Sequence, residues 1–321
     1  MNRSLVFIIA ALVLISGCTQ GAEEPVIEEP SGTLKGVSLS PRSSSAEDFT
    51  RFFEEAVEAG DIVMWAGDWN ELRMDGGGPK VVTGLAPIYG YIPLVEVTIH
   101  STGELIRPLN EANKQMYKDL AIAFVEEYHP EYLGLGIEIN SVYENSPRDF
   151  EEFVNLYNEI YSAVKEKSPN TKVFTIFQLE KMKGHTLWST DPADADKAQW
   201  FLIDRFSTDI VAFTTYPGLV HKDPSDIPED YYTEILSHTS KPMAFTEIGW
   251  HSEASPLGWE SDEGEQADFI ERFFYLTEDL DTEILIWSFM YDPNIIEPFR
   301  SMGLRCDDGT AKPAWYAWIK A

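Results

Sequence analysis

Cysteine is nearly absent from this chain. Cys18 and Cys306 are the only two in 321 residues, so the fold is not stapled by disulfides. Basic charge is also scarce. There are 24 Lys and Arg against 54 Asp and Glu, a formal net charge of −30. Nucleic acid and anionic lipid headgroups would be repelled by such a surface, so neither is expected as a partner. The glycines of Gly76-Gly-Gly-Pro79 lead to no Gly-Lys-Ser/Thr, which excludes a phosphate loop, and no Gly-x-Gly-x-x-Gly turn follows the first strand-like run. His and Asp do not cluster at metal-ligand spacing, and no Ser stands in a nucleophile elbow. The reading therefore includes no cofactor and no metal.

What is present begins with a targeting segment. One positive charge, Arg3, precedes an apolar and small-residue run from Leu5 to Ser16, followed by Ile15-Ser-Gly-Cys18. The run has the length of a signal-peptide h-region. Its ending resembles the lipobox of prokaryotic lipoproteins, which implies lipidation of Cys18. Residues 1–17 are read as a signal peptide and 18–33 as an acidic, Pro-bearing tether. The expected location is the cell surface, on the outer face of the cytoplasmic membrane and held there by lipid. Cys306 is read as a small apolar core residue.

From residue 34 to 321, apolar runs alternate with amphipathic stretches. Eight runs are strand-like, namely 34–40, 61–66, 91–100, 133–140, 172–179, 209–216, 243–250 and 283–291. Helices are expected over 45–59, 110–128, 146–167, 195–206, 228–237 and 263–280, with a weak one before Gly90 and a closing one after Trp315. Eight βα repeats in about 290 residues predict an α/β fold, a (β/α)8 TIM barrel. A doubly wound open sheet is the runner-up.

Chemistry in such barrels sits at the C-terminal ends of the strands. Those ends carry Trp65, Asp68 and Trp69; Glu96 and His100; Glu138 and Asn140; Gln178 and Glu180; Tyr216; Glu247 and Trp250; and Trp287 and Tyr291. Glu247 closes the run Met243-Ala-Phe-Thr-Glu-Ile-Gly-Trp, where a carboxylate is costly to bury without a partner or a task. Paired carboxylates in an aromatic-lined cleft suit glycoside hydrolysis, in which one delivers a proton and the other attacks the anomeric carbon. A sugar offers a C–H face for Trp and hydroxyls for Asn, His and carboxylates.

Glu138 on the fourth run, Tyr216 on the sixth, Glu247 in TEIGW on the seventh and Trp287 on the eighth resemble clan A glycoside hydrolases. TEIGW is similar to the nucleophile segment of β-1,3-glucanases and β-1,4-galactanases, and GLRCDDGTAKPAW resembles the closing segment of several clan members. The resemblance implies Glu138 as acid/base and Glu247 as nucleophile. It further implies Tyr216 holding Glu247, Trp287 flooring a sugar subsite, and carboxyl groups about 5–5.5 Å apart in a retaining enzyme acting on a β-linked glycan. Asn140, His100, Trp65, Trp250 and Glu180 complete the expected substrate-binding set, and the chain is expected to act as a monomer. The sequence departs from the clan in having Ile137 where Asn usually precedes the acid/base, and Arg73 is a poor match to the Arg near strand two. The departure at Ile137 supports an alternative, a carbohydrate-binding barrel lipoprotein without turnover. A third reading places a metal in the acidic cleft.

Overall fold

The computed structural model describes residues 32–189 and 191–321; the expected signal peptide, Cys18 and nearly all of the expected tether lie outside the described residues. The eight barrel strands are β1 (Leu34–Ser38), β2 (Ile62–Asp68), β3 (Ile92–Thr98), β4 (Tyr132–Leu135), β5, β6 (Val211–Thr215), β7 (Met243–Ile248) and β8 (Thr282–Trp287). β5 has two halves, Lys172–Phe174 and Ile176–Gln178, separated by Thr175. Its first half pairs with β4 and its second with β6, while β8 returns to pair with β1. All barrel pairings are parallel, so the ring closes as the eight βα repeats predict.

The α-helices are α1 (Ala46–Ala59), α2 (Gly78–Tyr89), α3 (Glu111–Tyr128), α4 (Ile139–Asn145), α5 (Pro147–Lys167), α6 (Leu179–Met182), α7 (Glu263–Thr277) and α8 (Pro313–Lys320). Ser45 accepts a hydrogen bond from the Asp48 N–H at 3.1 Å and opens α1. The expected helices over 195–206 and 228–237 are instead 3-10 turns, Ala195–Lys197, Trp200–Arg205 and Thr233–Ser237. At the start of the first stretch, Asp194 captures the N–H of Asp196 in a competing turn.

Apolar residues form two concentric layers. Leu94, Phe174, Ile176, Ala212, Ala244 and Ile286 fill the barrel interior. A larger set packs the outer face of the strands against the helices. The inner stack turns polar near the strand ends, where Glu96, Thr214, Thr246 and Ser288 are buried. Cys306 is half-buried on the closing segment, not in the core as expected, with its Sγ 3.9 Å from Glu263.

Candidate active site

The fourth strand is shorter than its sequence suggests. β4 stops at Leu135, and Gly136 turns the chain at φ +86°, a conformation glycine adopts without strain. Glu138 follows at φ +48° and caps α4. A non-glycine residue held there stores about 1–3 kcal/mol, a cost typical of functional sites. Its side chain does not cap the helix; it accepts a hydrogen bond from Thr214 Oγ1 at 2.8 Å.

Thr214 is also the register partner of Glu247 across β6 and β7, and neighbouring strands lie about 4.8 Å apart. Between Phe245 and Glu247 the β7 register slips by one residue. This bulge re-aims the chain so that Glu247 enters the mouth of the barrel beside the inward Thr246. The Tyr216 hydroxyl donates to Glu247 Oε2 at 2.5 Å and lies 2.9 Å from Ser288 Oγ. The two glutamates therefore reach the mouth from different strands and face one cavity.

They line a cavity of about 410 Å³ with Ala66, Gly67, Thr98, His100, Ile137, Tyr216, Phe289 and Phe299 among its walls. Burial pushes the Glu247 carboxyl up to about 7; the nearby Glu138 charge adds to the rise, and the Tyr216 hydroxyl opposes it. His100 Nε2 lies 2.7 Å from the Ile137 carbonyl, and burial lowers its pKa.

Of the expected site residues, the structure brings together Glu138, Glu247, Tyr216 and His100. It does not bring in the others. Asn140 lies in the first turn of α4 because β4 ends early; fully buried, it accepts from the Gln178 N–H and donates to the Gln178 carbonyl and to Gln199. Trp287 points outward from β8, and its Nε1–H donates to the Met302 carbonyl at 2.8 Å. Trp250 stacks on Phe269 and donates to Glu265, and Trp65 packs in the outer layer against Gly67 and Gly78. All three indoles belong to the layer between strands and helices. The parity of β8 decides Trp287, because Ile284 and Ile286 face inward and residue 287 must face out.

Glu180 is fully buried and accepts from Thr215 Oγ1, the Tyr216 N–H and Tyr231 Oη at 2.9–3.1 Å, and from Gln178 Nε2. It is a keystone under the β6 end. Glu96 is the opposite case: fully buried inside the barrel, with neither oxygen paired. Gly134 makes room for it, since a Cβ there would stand 2.8 Å from Glu96 Cγ. Burial, then the Glu247 charge, pushes Glu96 well above the usual carboxylate range.

Sequence reasoning missed Thr214, Phe289 and Phe299. The last two lie on the segment after β8, whose position depends on the closing sequence. Lys312 Nζ, itself buried, donates to Asp292 Oδ1 at 2.6 Å, Ser252 Oγ at 3.0 Å and the Ser301 carbonyl at 3.1 Å. These bonds pin both ends of the aromatic wall.

Similar architectures occur among solved glycoside hydrolases. A GH5_18 protein of Streptomyces cattleya in complex with Manb1-4GlcNAc superimposes with a TM-score of 0.66 at 14% identity, over 90% of this chain and 80% of that one. A GH5_18 protein of Bifidobacterium longum subsp. longum, in complex with the same disaccharide, gives 0.63 at 13%, over 89% and 76%. A family 39 glycoside hydrolase of Bacteroides cellulosilyticus gives 0.61 at 15%, over 88% and 62%. At such identity the likeness is one of fold, the (β/α)8 barrel. No protein-family model and no curated protein sequence matches the chain.

Proposed function

We propose that this protein is a retaining glycoside hydrolase acting on a β-linked oligo- or polysaccharide. One observation carries the reading. Glu138 from the β4 end and Glu247 from the β7 end line one cavity, with Thr214 bonded to the Glu138 carboxylate and paired in register with Glu247.

In the first step the Glu247 carboxylate attacks the anomeric carbon. The glycosidic C–O bond breaks as Glu138 gives its proton to the departing oxygen. In the second step Glu138 takes a proton from water, whose oxygen displaces Glu247 from the same carbon. Tyr216 orients the nucleophile and lowers the cost of its charge. Burial first, and then the nearby Glu138 charge, raise the Glu247 carboxyl, so the site holds a proton towards neutral pH; the first step needs that proton on Glu138 and Glu247 ionised.

A panel of β-glycans and aryl β-glycosides tests the reading, with the anomer of the first-formed product followed by NMR. Retention of configuration supports it; inversion, or no hydrolysis of any member, sinks it. A second reading, a binding barrel without turnover, draws on Ile137, which lines the cavity where the clan resemblance implies Asn. Oligosaccharide binding without hydrolysis by the unaltered protein would favour it. The N-terminal segment supports anchoring at the cell surface through a lipid on Cys18. Incorporation of labelled palmitate, lost in Cys18→Ala, is the expected result.

A further inference from the structure

A second cavity, of about 610 Å³, opens beside the first on the same end of the barrel. That volume falls in the ordinary range for small-ligand sites, roughly 300–1,000 Å³. Tyr143 and Glu144 on α4, Lys181 on α6, and Gln199, Trp188 and Phe201 line it. Most large aromatics here are buried, yet Trp188 is 38% exposed and Phe201 53%. Trp188 is also held at φ +63°, a conformation a bulky residue adopts at a cost. Its ring stands edge-on to Phe299 at 6.2 Å, and Phe299 stands edge-on to Tyr216 at 5.2 Å. Phe299 lines the carboxylate cavity, so this ring contact links the walls of the two cavities.

The polar side of the second cavity is fixed in advance. Asn140 donates to Gln199 at 3.0 Å, Gln199 donates to Glu144 at 2.8 Å, and Lys181 bridges Glu144 at 2.7 Å and Ser141 at 3.0 Å. The chain of bonds runs from the barrel wall to the cavity surface and holds charged and amide groups at set positions. An exposed indole with adjacent fixed polar groups matches the two sides of a pyranose, its C–H face and its hydroxyls.

The direction of the substrate follows from the acid. A proton donor must lie within hydrogen-bond reach of the oxygen it protonates. The leaving group therefore departs on the side of Glu138. Glu138 caps α4, which supplies Tyr143 and Glu144 to the second cavity. We infer that this cavity holds the leaving-group part of a carbohydrate chain, with Trp188 as its stacking platform and Lys181, Glu144 and Gln199 as hydroxyl partners. The preferred substrate then carries at least one further sugar beyond the scissile bond, not a small aglycone. This inference rests on the hydrolase reading for its direction, and on the cavity's own chemistry for its ligand.

The test uses the full chain, with Trp188→Ala, Trp188→Phe and Glu138→Gln. For the unaltered protein, kcat/KM is measured on β-linked oligosaccharides and on the matching aryl monoglycoside. In Trp188→Ala the ratio of the two is expected to fall about ten-fold, through KM for the oligosaccharide, and Trp188→Phe is expected to restore most of it. An unchanged ratio in a Trp188→Ala protein with unaltered Tm overturns the inference. Calorimetry of oligosaccharide binding to Glu138→Gln separates the two readings. If the unaltered protein hydrolyses nothing but binding weakens on adding Trp188→Ala, the hydrolase reading fails and the carbohydrate cavity stands. Binding that ignores Trp188, or no binding by any variant, overturns the cavity as well.

Discussion

Glu247 and Glu180 are both pushed up to about 7 by burial, yet their surroundings differ in kind. Glu180 is sealed from solvent and saturated by donors from Gln178, Thr215, Tyr216 and Tyr231. Glu247 has one donor, Tyr216, and its remaining capacity faces a cavity and a second carboxylate. A raised pKa therefore does not separate a catalytic carboxylate from a structural one. The separation comes from what is left unsatisfied and what space it faces. Glu96 is a third case, facing no cavity and with neither oxygen hydrogen-bonded by geometry among the described residues, its pKa raised by burial and then by the Glu247 charge.

The comparison breaks most sharply at the acid. Glu138→Gln should cut turnover of unactivated substrates by about 10²–10⁴-fold while leaving the Tm close to that of the parent. Glu180→Ala should do the reverse. It strands buried hydroxyls and the Tyr216 N–H, with a stability loss on the order of 3 kcal/mol in denaturant titration. A Glu180→Ala protein as stable as the parent would remove the structural reading of that residue.

Tyr216→Phe sharpens the contrast from the other side. Loss of a hydrogen bond to a charged group costs about 1.5–3 kcal/mol, so kcat/KM should drop roughly ten- to a hundred-fold. Its acid limb should move to higher pH, because the hydroxyl is what opposes the rise at Glu247. The unaltered protein should show that limb near pH 7. In Glu138→Gln, assayed with an activated aryl glycoside that needs no acid, the limb should move down as the like charge disappears.

The last effect is thermodynamic. Glu96, Glu180 and Glu247 all have folded-state values above the unfolded one near 4.3. The native chain then keeps protons that the unfolded chain has lost, so stability falls as pH rises from about 4.5 towards 7. Glu96→Gln should flatten that fall by up to about 1.4 kcal/mol per pH unit, measured as the pH dependence of unfolding free energy. A slope unchanged by the substitution would show that Glu96 ionises freely in the fold.

The barrel was legible because each apolar run and helix repeats a local pattern. Glu247 and Tyr216 were legible as polar ends of such runs. The indoles were not. Glu283-Ile-Leu-Ile-Trp287 is apolar on both faces, as buried parallel strands are, so alternation carries no parity by which to tell in from out. Asn140 was misplaced for a related reason. Two glycines in Leu133-Gly-Leu-Gly136 read equally as a thin strand or as its end, and only the turn at Gly136 settles which.

The sequence by itself determined the eightfold alternation, the excess of acid, and which two glutamates stand near the C-terminal ends of the fourth and seventh strands. These follow from periodicity and composition, which act over a few residues. Tertiary structure alone decided that Thr214 bonds Glu138 beside Glu247, that the tryptophans at 65, 250 and 287 brace the helices, and that Phe289 and Phe299 form the wall. Those outcomes depend on strand register, a bulge in β7 and the anchoring of a distant segment by Lys312, which are contacts between residues far apart in the chain.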